Sequence, residues 1–359
     1  MNSLFHTYGR GLSLLFALLT AAWVIGLIIF PQLKMIERSL IYEDRGDALS
    51  QLSTHIDRLY ADLDTLRYEQ SALSRTNTAE DRAHIEPLEK QQATLEEQIT
   101  ALEHEEQLLK EQKAQTGRFS FHNYTSMNQV HFEIFWKTLL YSFSVTVLCF
   151  LACYPIAYAM TRVTKPALVA LMMLGLIIPY SINELLRIFS WVMILANQGI
   201  LNHMLDWLGI LDLSSGGVRF LSSNGSVFVV MMYTYILFMI FPIYNTLETL
   251  DENQIEAARD LGAPSWRIHW RIILPHSKPG IAIGSIMTFM LSAGSISVPS
   301  IVGRGLHPDW FSQVIYRRFF ESSNWNIGSA YSLTLLLACL LFILIVMLIF
   351  RVNIREIAK

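Results

Sequence analysis

Residues 11–33 carry no Asp, Glu, Lys or Arg, and neither do residues 138–161, 220–247, 279–303 and 322–350. About 20 predominantly apolar residues are enough for a helix to cross the hydrocarbon core of a bilayer. No water reaches the backbone there, so a run of this kind must satisfy its own N–H and C=O groups as a helix. Residues 166–205 are equally apolar except for Glu184 and Arg187. That stretch can hold one span followed by an outer re-entrant or surface helix. The expected fold is all-α and polytopic, with six transmembrane helices. Composition agrees: 52% of the 359 residues are hydrophobic and 16% are charged, values of a membrane protein rather than a soluble domain.

The first run lacks the small-x-small cleavage site of a secretory leader and is read as an uncleaved helix that Pro31 ends. Arg162 and Lys165 fill a short loop after the second span, and Arg351, Arg355 and Lys359 follow the last one. Cationic loops stay in the cytoplasm, which puts both termini inside. The last outer loop, residues 304–321, carries three arginines against two acids and departs from that bias. Gly280 and Gly284 have the spacing for close helix–helix contact. Cys149 and Cys153 lie one helical turn apart in an apolar run and read as small packing residues, not as a metal or redox pair.

Between the first two spans the chain turns polar. Residues 47–115 hold fifteen acids and seven bases, a net −8, against fifteen acids and twenty bases, a net +5, elsewhere. Leu49, Leu52, Ile56, Leu59, Leu63, Leu66 and Leu73 fall on alternating steps of three and four, with Gln70 filling the one gap. After a polar turn at 74–78 the rhythm resumes at Ile85, Leu88, Leu95, Ile99, Leu102 and Leu109, with Gln92 and Glu106 at seam positions. Two such tracts predict an antiparallel coiled-coil hairpin. Thr78 with Asp81 resembles a capping box, and Pro87 predicts that the second arm kinks or starts late. The hairpin reads either as a rigid solvated spacer or as a docking surface for a binding protein or another subunit. The expected organisation is residues 1–33 as the first helix, 34–130 as an extracytoplasmic insert (hairpin at about 47–115), and 131–359 as a transmembrane domain with a cytoplasmic loop at 248–278.

No Gly-Lys dipeptide, G-x-S-x-G or H-E-x-x-H occurs, so phosphate-loop, serine-hydrolase and zincin chemistry have no foothold. No catalytic residue, metal site or cofactor is expected, nothing points to nucleic acid, and any ATP used must be bound by another chain.

Residues 251–280, DENQIEAARDLGAPSWRIHWRIILPHSKPG, form a charged, helix-forming segment set between two apolar spans. Residues 254–261 are good helix formers, Gly262 suits the left-handed residue just past a helix end, and Pro264 forces a second short helix to start near Ser265. Glu256-Ala257-Ala258, Gly262, Ile272, Leu274 and Pro275, with Asp260 extending the likeness, reproduce E-A-A-x3-G-x9-I-x-L-P. That pattern resembles the cytoplasmic coupling loop of ATP-binding-cassette importer permeases. The resemblance implies a loop that docks on an ATPase, with Glu256 making polar contacts that hold it and Ala257, Ala258 and Gly262 allowing a close fit.

Within residues 166–205, Glu184 and Arg187 are costly in a membrane and mark a functional hypothesis by default. Spaced by three, they share a helix face and can pair with each other. The alternative is a carboxylate on a translocation path, with Tyr180, Trp191 and Phe189 offering aromatic faces to a cation. Residues 148–162, Ile178-Pro179 with Leu186-Arg187, residues 199–202 with Leu208-Gly209, and Trp325 with residues 328–330 resemble the first permease of spermidine/putrescine-type importers. The long hairpin and Gly294-Ser295-Ile296-Ser297 depart from that family.

The resemblance implies an inner-membrane permease of the type I importer fold, working by alternating access for a polyamine. Its implied partners are a dimer of ATP-binding cassette subunits, a second permease, an extracytoplasmic binding protein and the lipid bilayer. Ferric iron, sulfate or an amino-phosphonate remain alternative cargoes. A membrane-anchored coiled-coil adaptor is the alternative from another class.

Overall fold

The computed structural model describes residues 2–42, 79–113, 118–125, 127–210, 217–221, 223–303, 310–322 and 324–352, with helical positions scattered between 52 and 66. It contains two compact units, Met1–Met127 with Ile315–Leu333, and Asn128–Val314 with Thr334–Lys359.

In the first unit, α1 (Asn2–Trp23), a π-helical segment (Val24–Ile29) and α2 (Phe30–Leu40) form one helical run. Pro31 therefore does not end the first span. In an α-helix it would lack a hydrogen-bonding N–H and drive its ring into the carbonyl of Leu27. The wider turn directly before it relieves both conflicts. The most apolar window of Leu14–Leu40 buries none of its residues within the chain, as suits a helix whose neighbours are lipid or another subunit.

Beyond α2 the polar insert leaves and returns through one clamp. Strand β1 (Ile41–Tyr42) pairs antiparallel with β2 (Arg118–Phe119). Buried Asn123, in the one-turn helix that follows, donates from Nδ2 to the carbonyls of Ser39 at 2.8 Å and Ile41 at 2.9 Å. Tyr124 O–H donates to Ser39 Oγ at 2.8 Å.

The insert's long helix, α3 (Ala79–Lys113), carries Pro87 inside it, so this arm neither starts late nor breaks there. Along it Leu88, Gln92, Leu95, Ile99, Leu102, Glu106 and Leu109 are at least half-buried while most positions between them are exposed. These are the seven seam positions of the second tract whose burial is described. Tyr60 O–H donates to Glu103 Oε1 at 2.8 Å, joining the two tracts. The turn at 74–78, with Thr78, lies outside the described residues.

The second unit is a helical bundle. Its elements, after the one-turn helix α4 (His122–Thr125), are α5 (Gln129–Thr161), α6 (Pro166–Tyr180), α7 (Glu184–Leu195), α8 (Ile200–Trp207) and α9 (Asn224–Glu248). The loop helices α10 (Glu252–Asp260) and α11 (Ser265–Ile268) come next, then a second π segment (His269–Ile273) and α12 (Leu274–Ala293). Short helix α13 (Ser297–Val302) follows, and α14 (Phe311–Phe320) and α15 (Trp325–Phe350) are each divided between the two units.

Helices α5, α9 and α12 pack on one another and bury Val145, Cys149, Cys153, Met231, Met239, Ile243 and Ile281. Cys149 and Cys153 are fully buried, their Sγ atoms 3.7 Å from the carbonyls of Met232 and Ile236 on α9. They pack, as their spacing implies. Gly280 and Gly284 let α12 close onto Pro242, Thr246 and Met239 of α9.

Among the described residues, five helices are long and apolar enough to cross a membrane: Leu14–Leu40, Gln129–Thr161, Glu184–Trp207, Asn224–Glu248 and Trp325–Phe350. Pro166–Tyr180 is apolar but shorter. The second span starts at Gln129, earlier than its uncharged run. The expected fifth span is α12, which starts at Leu274, not Pro279, and stops at Ala293 before the break that precedes α13. Charged and polar residues such as His276 and Lys278 extend a membrane helix into water where uncharged runs cannot reveal it.

One turn joins α7, α8 and residues 217–221. Fully buried Asn202 organises it, with Nδ2 facing the carbonyls of Ala196, Asn197 and Val218 at 2.9–3.2 Å while Oδ1 accepts the Val218 N–H at 3.1 Å. Asn202→Ala strands several buried backbone groups and is expected to cost about 3 kcal/mol. A lowered thermal midpoint of the purified protein in detergent would show it.

Candidate functional site

The loop between α9 and α12 is built to stay folded in water. Asp251 caps α10, its carboxylate accepting the Asn253 N–H at 3.0 Å. At the other end the N–H of Gly262 bonds the Arg259 carbonyl at 2.8 Å and that of Ala263 bonds the Ala258 carbonyl at 3.0 Å. This pair of bonds needs a left-handed residue between them, and Gly262 has φ +76°. Pro264 then starts α11 at Ser265, as the sequence implies.

Three isoleucines fasten the loop to the bundle: Ile255 and Ile268, each 4% exposed, and Ile273, 2% exposed. Each full burial from water is worth about 2 kcal/mol. The sequence reading did not single them out, although they are the apolar residues on the inward face of α10, α11 and the π segment.

The residues of the E-A-A pattern divide between two faces. Ala258, Ile272 and Leu274 are half-buried and pack on the core, whereas Glu256, Ala257, Asp260, Gly262 and Pro275 are exposed. Glu256 has no hydrogen-bond or ion-pair partner among the described residues. Within this chain the loop is held by the Asp251 cap, the Gly262 turn and the isoleucines. Pro275 is the second residue of α12 and lies inside a continuous helical run, two residues past a π segment, the same arrangement as Pro31. Facing outward beside these are Leu261, 89% exposed, and Trp266 and Trp270, each 64% exposed.

A second cluster lies where α6 breaks into α7. Glu184 and Arg187 do not pair. Glu184 is exposed in the first turn of α7, where the helix N-terminus already favours its charge. Arg187 is 7% exposed and turns back across the break, its guanidinium 4.6 Å from the centre of the Tyr180 ring. Its Nε is buried without a hydrogen-bond partner. Tyr235 of α9 lies within electrostatic reach of Glu184, Tyr180 and Arg187, a relation that sequence spacing could not supply. Trp191 stands apart, edge-on to Tyr233 at 5.3 Å.

Residues 153–359 match the family described as binding-protein-dependent transport system inner membrane component. The chain belongs to this family. The permease is 36% identical over 224 residues to the spermidine/putrescine transport system permease protein PotB of Haemophilus influenzae, covering 62% of this chain and 77% of that protein. It is 31% identical over 228 residues to PotB of Escherichia coli, covering 63% and 81%. A bacterial ABC transporter involved in the import of the acidic polysaccharide alginate shares the fold, with a TM-score of 0.51 at 18% identity over 65% of this chain and 84% of that one. The permease is thus an inner-membrane, multi-pass subunit of a binding-protein-dependent importer. The polar insert lies outside the residues the family match covers.

Beside the permease's loop opens a cleft of about 560 Å³, lined by Tyr158, Arg162, Tyr244, Glu248, Glu252 and Ile255 among others. It separates the first turn of α10 from the 162–165 turn. The loop therefore rests on the bundle through its isoleucines and has free space on one side.

Proposed function

We propose that the permease imports a polyamine and that the outward face of the loop, around Leu261, Trp266 and Trp270, is the seat of the ATP-binding subunits that drive it. The observation that carries the coupling part is the outward surface of Leu261, Trp266 and Trp270 on a loop anchored from within. A contiguous apolar surface outside the bilayer calls for a protein partner. The segment follows α9 on the same face as the cationic 162–165 turn, which the positive-inside rule assigns to the cytoplasm. A pair of ATPase subunits binds ATP and closes. The loop moves with them, and the bundle, paired with a second permease, alternates between opening inward and opening toward an extracytoplasmic binding protein.

The cargo reading rests on the relatives' named substrates and on the second cluster. There the carboxylate of Glu184 is open while the charge of Arg187 is buried against Tyr180, so the group free to meet a ligand is acidic. A polyammonium chain would pair with Glu184 and pass the Tyr180 ring. An oxyanion would need the reverse arrangement. Uptake into proteoliposomes holding the complete transporter tests this: Glu184→Gln is expected to raise KM for spermidine about tenfold, equivalent to about 1.4 kcal/mol. An unchanged KM would remove Glu184 from the path.

A further inference from the structure

The inner end of α5 presents Tyr154, Tyr158 and Arg162 at four-residue steps, hence on one face of the helix. His269, the first residue of the second π segment, meets that face. Its Nε2 lies 3.0 Å from Tyr154 Oη. The imidazole stands perpendicular to both tyrosine rings, with centroids 5.6 Å from Tyr154 and 5.1 Å from Tyr158. Arg162 covers Tyr158 with its guanidinium 5.0 Å from the ring centre. Burial, and then the charge of Arg162, hold the His269 pKa below its usual value. The ring therefore stays neutral in the cytosol, where Nε2 can accept the Tyr154 O–H.

The π turn makes this contact compatible with the rest of the fold. One extra residue in a helical turn rotates everything after it by about 100°. That rotation allows His269 to face α5 while Gly280 and Gly284, further along the same run, face α9. A π turn is a local cost and is often found where a helix does work. Here it falls where the loop's outgoing helix enters the bundle.

We propose that Tyr154 and His269 are positioning residues that latch the coupling loop to α5, so that a shift of the loop by the ATPase moves this helix and not α12 alone. The proposal rests on the coupling reading above. Neither residue belongs to the outward surface offered to the ATPase, so docking and latching are separable.

The test uses the full complex in proteoliposomes, reading binding-protein-stimulated ATP hydrolysis and cargo uptake together. Tyr154→Phe and His269→Ala are each expected to keep hydrolysis within about twofold of wild type and to lower uptake per ATP at least about fivefold, the size of a typical coupling between sites. His269→Gln, which keeps an acceptor at a similar reach, is expected to restore most of that ratio. The double variant should lose clearly less than the sum of the two single losses, because both residues act through the contact they share. An unchanged ratio in both single variants overturns the latch, as do additive losses in the double variant. Failure of the wild-type ATPase to co-purify overturns the coupling reading and the latch with it, whereas a co-purified ATPase with an unchanged ratio overturns the latch alone.

Discussion

A permease carrying Ala258→Glu is expected to insert normally and to import almost nothing. Ala258 is half-buried on the inward face of α10 and packs against the core beside Ile255. A glutamate there either buries a charge with no partner or lifts the helix off the bundle. The charge costs several kcal/mol, comparable with what the three isoleucines contribute together, so the loop is expected to lift. Gly262→Asp is expected to fail by another route. Nothing lies within 4 Å of where its Cβ would be, so only the left-handed backbone resists, at φ +76°. Asp tolerates that conformation at a cost of roughly 1 kcal/mol, and the loop keeps its shape. The new carboxylate instead stands on the docking surface next to Leu261.

Both variants should lower uptake by about a hundredfold or more, the consequence of losing about 3 kcal/mol of productive docking. Limited proteolysis separates them: the loop of the Ala258→Glu permease should be cut, and that of Gly262→Asp should be protected. Wild-type uptake in either, at equal expression, would remove this segment from the coupling path.

What could be read from residues alone follows the range of the forces involved. The burial rhythm along α3 was legible down to Gln92 and Glu106, because such a period is set by local spacing and neighbouring turns. The Gly262 turn was legible for the same reason, since a Schellman end is closed within six residues. Pro31 misled because a proline ends an α-helix only if the helix keeps its register, and a π turn upstream is a tertiary adjustment with no sequence signature of its own. Glu184 and Arg187 have the spacing of a helical ion pair. The aromatic ring of Tyr180, seven residues earlier across a break, outcompeted it. Tyr154 and His269 are 115 residues apart. Only the four-residue steps of Tyr154, Tyr158 and Arg162 hinted that this face of α5 meets something polar.

Gly280→Leu is expected to leave no stable permease. A Cβ at this position would strike the carbonyl of Pro242 and come within 2.5 Å of Thr246 Oγ1. Neither can yield. The carbonyl belongs to the α9 backbone and already accepts the Thr246 hydroxyl at 2.8 Å, so the side chain is held in place as well. The helices must then separate along their length, and the contacts that bury Ile243, Ile281 and Met239 go with them. In a bilayer no hydrophobic gain draws them back together, because lipid tails are as apolar as the helices, and close van der Waals packing is most of what holds the pair. The loss is expected to exceed about 3 kcal/mol. Gly284→Ala should be milder, since its nearest neighbour is the flexible Met239 Sδ at 2.8 Å, although the Met239 backbone at 3.1 Å limits the relief. Detergent-extracted yield and thermal midpoint should therefore fall in the order wild type, Gly284→Ala, Gly280→Leu. A Gly280→Leu permease with wild-type yield and midpoint would show that α9 and α12 do not approach this closely in the membrane. The contact that fixes the bundle against the moving loop would then have to lie elsewhere.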